Sequence, residues 1–119
     1  MDRHNIFVYG TLRSGGGNSR LLRESELVSI AKTDGKYALY VEGIPYAVKK
    51  EEVSRIIGEV WSVNSDTLQS IDLLEGHPNW YVRELINVIL TDANMLRAWI
   101  YFNPSPRGRL VESGDYFKQ

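Results

Sequence analysis

Residues 82–102 read VRELINVILTDANMLRAWIYF, and this stretch decides the fold. Apolar side chains recur at every second position of both halves, with Glu84 the exception, which is the period of a half-buried strand. The residues between the halves, Asp92-Ala93-Asn94, are typical of a turn. The stretch therefore predicts an antiparallel hairpin with one apolar face. That face comprises Val82, Ile86, Val88 and Leu90 on the first strand and Leu96, Ala98, Ile100 and Phe102 on the second.

The segment before the hairpin carries the start and stop signals of a helix. Asn64, Ser65 and Asp66 are residue types that cap helix N-termini. Gly76 is a common C-terminal stop, and Pro78 follows it. These signals predict a helix over about residues 64–75.

Strand composition recurs elsewhere, at residues 6–9, 26–31, 37–41, 55–63 and 110–111. Gly58 is expected to mark a bend or a close approach, while Pro45 and Tyr46 are expected to interrupt regular structure. Residues 19–25 are consistent with one or two helical turns. Strands outnumber helices, so we expect an α+β fold with a mainly antiparallel sheet. The sheet is expected to be strongly bent or closed into a small barrel, with the 64–75 helix packed beside it.

The composition excludes several classes of protein. The 119 residues carry 14 Lys+Arg and 15 Asp+Glu, a net charge of −1, so we expect no nucleic-acid partner. The absence of cysteine excludes thiolate nucleophiles, disulfides and thiolate zinc sites. With only His4 and His77 besides, we expect no metal site. No apolar run has the length of a signal peptide or a membrane span, so we expect one cytoplasmic domain over residues 1–119 and no membrane partner.

Glu75 is a charged residue at an apolar position of the predicted helix. Leu68, Ile71, Asp72 and Glu75 follow the spacing i, i+3, i+4, i+7 and fall on one face. Burial of the two aliphatic side chains draws the carboxylates toward the interior or a cleft, where loss of water raises the pKa. The last helical turn, where the helix dipole is negative, raises the pKa of Glu75 further. Such a carboxyl group suits general acid/base chemistry near neutral pH.

A plainer interpretation rotates the helix. Leu73 and Leu74 would then be buried, and Glu75 would pair with a lysine or arginine at the surface. Residues 9–13, Tyr-Gly-Thr-Leu-Arg, are equally ambiguous, because a loop after a strand can bind an anion through its N–H groups or simply turn. This loop lacks the spacing of the known nucleotide-binding motifs.

Other candidate residues carry less weight. His77 could act as a base, although a lone loop histidine more often has no chemical role. Trp61 and Trp99 lie opposite the main apolar set of their strands and line either a cavity or a second buried face. Candidates for an apolar cavity wall are Tyr37, Tyr46, Trp61 and Trp99.

Ordered motifs along the whole chain give a more specific signal. They are Phe7-Val8-Tyr9-Gly10-Thr11-Leu12-Arg13, Asn18 with Leu21-Leu22, Tyr37-Ala38-Leu39-Tyr40 with Gly43 and Pro45, Ile71-Asp72-Leu73-Leu74-Glu75-Gly76-His77-Pro78, Tyr81 with Arg83, and Ser113-Gly114-Asp115-Tyr116. Together they resemble the gamma-glutamylcyclotransferase-like family, including the gamma-glutamylamine cyclotransferases and the avirulence-induced-gene-like proteins.

The resemblance implies a small mixed, mainly antiparallel β-barrel flanked by a few short helices, with one cavity and no cofactor. It implies an enzyme that cyclises a γ-glutamyl amide to 5-oxoproline and releases the free amine or amino acid. The family's catalytic glutamate falls on Glu75, and a C-terminal tyrosine near the cavity falls on Tyr116. The substrate-binding positions, which act largely through backbone amides, are Tyr9, Gly10, Thr11 and Leu12.

The sequence is also compatible with two other functions. One is a non-catalytic module that binds a small metabolite in the same cavity, and the other is an acyl transferase or amide hydrolase. Arg83 is interpreted as a structural partner of Asp72 or Glu84 rather than as a substrate clamp.

Overall fold

Short strands make up most of the chain, which the structure, a computed structural model, describes over residues 2–105 and 107–118. The strands are β1 (Arg3–Val8), β2 (Glu26–Thr33), β3 (Ala38–Glu42), β4 (Ile44–Val48), β5 (Ile57–Asn64), β6 (Val82–Leu90), β7 (Met95–Phe102) and β8 (Arg109–Leu110). One α-helix, α1 (Ser65–Glu75), and two 3₁₀ helices, Ser19–Leu22 and Tyr116–Lys118, accompany them in the described residues. None of these helices has the length and apolar character needed to cross a membrane.

Five strands close into a barrel in the order β1-β5-β2-β6-β7. Neighbours pair antiparallel, except that a parallel contact between Ile6 and Trp99 joins β7 back to β1. The predicted hairpin is confirmed, because β6 and β7 pair from Val82–Phe102 to Ile89–Met95. Strands β4, β3 and β8 extend the sheet beyond β7. The predicted small, mixed and mainly antiparallel barrel is thus confirmed.

The second half of strand β1, from Ile6 to Val8, is buried on both faces. Phe7 belongs to a cluster with residues from all five barrel strands, which is the barrel interior. Ile6 and Val8 point the other way, into a second cluster that contains Leu68 and Ile71 of α1. Because side chains alternate along a strand, one strand holds the barrel interior and the helix together.

Helix α1 begins and ends where the sequence predicts. The Asn64 side chain accepts a hydrogen bond of 2.8 Å from the Thr67 N–H, which caps the first turn. Gly76 ends the helix with a φ of 67°, a left-handed conformation that suits glycine. The position of Glu75 in the last turn follows from these two caps.

The predicted interruption at Pro45 and Tyr46 is wrong. Both residues belong to β4, which follows β3 through a tight turn at Gly43 and pairs with it antiparallel. Proline cannot donate to a ladder, and the ladder between β4 and β7 pairs Ala47 with Phe102, so Pro45 lies outside that ladder. A strand therefore forms where propensity alone predicts none.

The close approach expected at Gly58 is confirmed, and it gives a test of the barrel wall. An added Cβ would meet the Val8 carbonyl oxygen and lie 2.7 Å from Phe7 Cζ. We expect Gly58→Ala to lower the free energy of unfolding by about 1–3 kcal/mol, because the new methyl group would have to displace the backbone of β1, which is held in the barrel. Gly17→Ala is the matched control, since a Cβ there meets nothing within 4 Å. Urea unfolding would measure both; equal stability of the two variants would contradict this packing.

Candidate active site

A cavity of about 100 Å³ opens where β1 ends. Four segments and two single residues line it: residues 7–12, 44–45, 74–75 and 80–81, with Asn18 and Tyr101. The first segment leaves β1, the second is the start of β4, the third is the end of α1 and the fourth leads into β6. The barrel and helix thus bring together stretches that are distant in sequence.

The loop after β1 leaves backbone N–H groups available. An added Cβ on Gly10 would strike the Pro45 ring, so glycine lets the loop pass close to β4. The carbonyl oxygens of Gly10 and Thr11 accept bonds of 3.0 and 2.8 Å from the N–H groups of Arg13 and Asn18. The N–H groups of Gly10, Thr11 and Leu12 donate to no acceptor within residues 2–105 and 107–118. Adjacent free N–H groups at a cavity can hold an anion.

Two buried side chains anchor the same loop. Glu59 of β5 accepts bonds from the Ser14 N–H (2.8 Å) and from Trp61 Nε1 (3.0 Å). Arg13 forms a buried ion pair of 2.7 Å with Asp115, and its guanidinium lies 4.3 Å from the centre of the Phe117 ring. The loop is therefore fixed to the barrel on one side and to the C-terminal segment on the other.

Glu75 lines the cavity on the face of α1 that the spacing predicts. Leu68 and Ile71 are buried on that face, whereas Leu73 is 84% exposed and Leu74 is 41% exposed. The rotated helix considered above is thus excluded. Glu75 reaches the cavity because its face of the helix packs on β1.

Three tyrosines surround this carboxylate, and each donates its hydroxyl proton elsewhere. Tyr9 donates to the Tyr101 carbonyl (2.7 Å), Tyr81 to the Pro45 carbonyl (2.7 Å), and Tyr101 to Asp72 Oδ1 (2.6 Å). Burial raises the pKa of all three hydroxyls, and the charge of Glu75 adds to the rise.

The Glu75 carboxylate therefore loses water without gaining a hydrogen bond. None of the described residues donates a hydrogen bond to it, and burial raises the pKa of Glu75 from 4.5 to about 7. Burial alone accounts for the shift, so the helix-dipole contribution expected from the sequence stays a prediction. A carboxyl group that is about half ionised near neutral pH can both take and return a proton.

Asp72, one turn before Glu75, has the opposite environment. Burial would raise its pKa, but hydrogen bonds from Arg83 (2.9 and 3.2 Å) and from Tyr101 outweigh burial and lower it. Arg83 is thus the partner of Asp72, one of the two carboxylates proposed for it; the other, Glu84, pairs with Lys49 at 2.6 Å. Two carboxyl groups on one helix face differ because only one has cationic and hydroxyl partners.

The remaining sequence candidates lie outside the cavity wall. Tyr116 packs against the barrel core in the C-terminal 3₁₀ helix, so its proximity to substrate stays a prediction. His77 accepts a hydrogen bond of 3.3 Å from the Arg83 N–H. None of the four aromatic residues proposed as an apolar wall lines the cavity; they are Tyr37, Tyr46, Trp61 and Trp99.

Sequence reasoning missed the residues that do form that wall. Leu74 and Trp80 supply it, with Ile44 from the start of β4. Leu74 belongs to a quoted motif in the last turn of α1, but it was considered only as a core residue; Ile44 begins a strand that was not predicted, and Trp80 lies in a bend before β6, where no periodicity marks it. Among the described residues, no three His, Asp or Glu side chains are grouped in a way that could hold a metal ion.

Comparison with known proteins assigns these features to a family. The family described as gamma-glutamyl cyclotransferase, AIG2-like, matches residues 6–118, and the chain belongs to it. A Methanocaldococcus jannaschii protein, whose name gives gamma-glutamylcyclotransferase activity as provisional, is 48% identical over 112 residues, which are 93% of each chain.

Solved structures agree on the fold. A crystal structure of a Pyrococcus horikoshii protein superimposes with a TM-score of 0.76 at 30% identity, covering 97% of this chain and 91% of the other. The structure of a mouse AIG2-like protein gives a TM-score of 0.81 at 22% identity, over 87% of this chain and 78% of that one. The second likeness shows the barrel fold alone.

The Asp72–Arg83 pair gives a first test of this region. Arg83→Met keeps an apolar stem against Trp99, over which the guanidinium lies at 4.3 Å, but leaves the half-buried Asp72 carboxylate short of its cation. We expect a loss of about 1–3 kcal/mol in unfolding free energy. Arg97→Met, at an exposed position of β7, is the control. Unchanged stability of Arg83→Met in thermal melts would contradict the structural role.

The pKa of Glu75 predicts a stability difference that depends on pH. Between pH 4.5 and about 7 the folded state holds a proton that the unfolded state has lost, so stability falls as the pH rises. Above pH 7 the full cost is present, about 3 kcal/mol from the size of the shift. Glu75→Gln cannot ionise, so its stability relative to the wild type should increase by up to that amount between pH 5 and pH 8. Urea denaturation at each pH would measure this difference. If the difference in unfolding free energy between the two proteins did not change from pH 5 to pH 8, the raised pKa of Glu75 would be refuted.

Proposed function

We propose that this protein is a gamma-glutamylcyclotransferase that cyclises a γ-glutamyl amide to 5-oxoproline and releases the free amine. The observation that carries the proposal is the Glu75 carboxylate, which lies partly buried at a cavity, has a pKa raised by loss of water to about 7, and has no hydrogen-bond donor among the described residues. Family membership supports the reaction class, and the name of the M. jannaschii relative agrees with it.

The reaction needs conformation and proton transfer rather than a protein nucleophile. A γ-glutamyl group carries its own nucleophile, the α-amino nitrogen, which closes a five-membered ring when it attacks the γ-carbonyl carbon. The C–N bond to the leaving amine then breaks. Holding the substrate folded in a small cavity supplies most of the rate advantage of such an intramolecular step.

Glu75 is proposed to carry the proton. As a carboxylate it takes a proton from the α-ammonium group, which frees the nitrogen lone pair for attack. As a carboxylic acid it returns that proton to the departing amine, and the second proton that the ring nitrogen loses on becoming an amide leaves with the amine as an ammonium group, so the enzyme ends in its starting state. A pKa near 7 suits both halves of this cycle, because neither protonation state is rare at neutral pH.

The loop after β1 is proposed to bind the anionic groups of the substrate. The N–H groups of Gly10, Thr11 and Leu12 have no acceptor among the described residues, and all three residues line the cavity with Tyr9. They can donate to the α-carboxylate or to the oxyanion that develops on the γ-carbonyl oxygen. The anchoring of this loop by Glu59 and by the Arg13–Asp115 pair supports a fixed donor geometry.

Release of 5-oxoproline tests the proposed role of Glu75. We expect Glu75→Gln to reduce turnover by roughly 10²–10⁴-fold while the barrel stays folded, because the amide cannot accept the ammonium proton. The substrates would be a panel of γ-glutamyl amino acids and γ-glutamyl amines. Glu52→Gln, an exposed glutamate before β5, is the matched control.

The pH dependence adds an independent readout. For the wild type, kcat/KM should decrease as the pH is lowered through the Glu75 pKa of about 7, because the free enzyme must hold Glu75 as a carboxylate to act as the base. A fully active Glu75→Gln variant, or an acidic limb centred near 4.5, would overturn the assignment.

A further inference from the structure

One of the three tyrosines around Glu75 differs from the other two in the group that accepts its hydrogen bond. Tyr9 and Tyr81 donate to backbone carbonyl oxygens of β7 and β4, which the sheet holds in place. Tyr101 donates to a side chain, Asp72 Oδ1, at 2.6 Å. Of the three hydroxyls, the one on Tyr101 therefore depends on a carboxylate for its direction.

That carboxylate belongs to the same helix face as Glu75. Asp72 and Glu75 are three positions apart in α1, a spacing at which side chains are neighbours with about 5–6 Å between Cβ atoms. Glu75 and Tyr101 line the cavity, and Asp72 does not. Burial and the hydrogen bond to Asp72 raise the pKa of Tyr101, and the charge of Glu75 adds to that rise. The Tyr101 hydroxyl thus lies within the influence of both carboxylates.

Arg83 keeps Asp72 ionised and therefore able to accept. It donates to Oδ1 at 2.9 Å and to Oδ2 at 3.2 Å. Burial would raise the pKa of Asp72, but the bonds from Arg83 and Tyr101 and the nearby charges of Arg83 and His77 outweigh burial and lower it. Asp72 therefore stays ionised throughout the pH range in which Glu75, with a pKa of about 7, gains and loses its proton.

Few other charged groups surround Glu75. Within residues 2–105 and 107–118, no lysine, arginine or histidine lines the cavity. Arg20, on the 3₁₀ helix that packs against α1, is exposed and outside the cavity wall. The titratable groups that face Glu75 are thus the tyrosines, from the end of β1, from β7 and from the segment before β6. A hydroxyl that turned to Glu75 would favour the ionised form and lower the pKa.

We propose that Asp72 is a positioning residue of this site, because it holds the Tyr101 hydroxyl away from Glu75 and so leaves the Glu75 carboxylate without a donor. This inference rests on the proposed cyclotransferase function and adds the residue that keeps its base free. Asp72 acts through Tyr101 and has no contact with the cavity. The two carboxylates of one helix face therefore have different tasks: Asp72 engages the hydroxyl, and Glu75 carries the substrate proton.

Removal of the acceptor tests this role. In Asp72→Ala the Tyr101 hydroxyl is free to donate to Glu75, so the acidic limb of the kcat/KM profile should move down from about 7 by about one to two pH units. At about pH 5.5 the variant should keep a roughly tenfold larger fraction of its plateau kcat/KM than the wild type keeps. Asp72→Ala combined with Tyr101→Phe has no hydroxyl to donate, and its limb should return to about 7.

A conservative variant separates this role from a structural one. In Asp72→Asn the amide oxygen can still accept the Tyr101 hydrogen bond, so the limb should stay at the wild-type value. Both Asp72→Asn and Asp72→Ala lose the ion pair with Arg83, so both should melt at a lower temperature. A purely structural role would lower both melting temperatures and move neither limb. Asp66→Ala, at an exposed aspartate in the first turn of α1, is the matched control and should keep the wild-type limb.

The Glu75 pKa can also be measured without the reaction. Carbon-13 NMR of the glutamate carboxyl groups, with the Glu75 signal assigned by its loss in Glu75→Gln, should show the same decrease in Asp72→Ala and the same recovery in the double variant. Asp72→Leu combined with Arg83→Met, which leaves no unpaired charge, repeats the test if Asp72→Ala does not fold.

The outcomes separate this inference from the function on which it rests. An unchanged Glu75 pKa in Asp72→Ala overturns the positioning role. A lowered pKa that persists when Tyr101→Phe is added also overturns it, because the donor is then not Tyr101. If folded protein releases no 5-oxoproline but the NMR shifts occur as expected, the cyclotransferase function is overturned and the control of Glu75 by Asp72 is supported.

Discussion

Burial of β1 on both faces is the constraint on which the rest of the structure depends. Phe7 fills the barrel, while Ile6 and Val8 pack outward against Leu68 and Ile71 of α1. A strand that is apolar on both faces needs a cover on each, and α1 supplies the outer one. The end of α1 is thereby brought beside the loop that leaves β1, which is where the cavity opens. The packing of α1 on β1 therefore both completes the core and places the candidate site.

That arrangement destabilises the ionised form of Glu75. Its partly buried carboxylate lies beside three tyrosines whose protons go to carbonyl oxygens or to Asp72, so no hydrogen bond from the described residues replaces the water it loses. Ionisation of Glu75 therefore opposes folding, which is the pattern expected where a group is kept ready for proton transfer. Asp72, on the same helix face, is stabilised by Arg83 and anchors Tyr101.

Local signals predicted the elements whose causes are local. The caps at Asn64 and Gly76 gave the bounds of α1, and the apolar spacing of Leu68, Ile71 and Glu75 gave the face that is buried. Alternation gave the β6–β7 hairpin. Strand β4 was missed because Pro45 lowers strand propensity, while its pairing with β3 and the tight turn at Gly43 outweigh that preference. The sequence analysis did not identify Trp80, because it lies in the bend between α1 and β6, where side chains follow neither helical nor strand periodicity.

The sequence by itself determined the hairpin, the helix and the helix face that carries Glu75, because side-chain periodicity and capping residues are local features of the chain. It also determined the likeness to a cyclotransferase family, because the motifs that carry it are ordered along the sequence. Only the tertiary structure decided that the barrel closes through Ile6 and Trp99, that Arg83 pairs with Asp72, and that Leu74 and Trp80 line the same cavity as Glu75. The Ile6–Trp99 contact joins residues far apart in the sequence, and the other two depend on how α1 and the segment before β6 pack against the barrel, which no local pattern specifies.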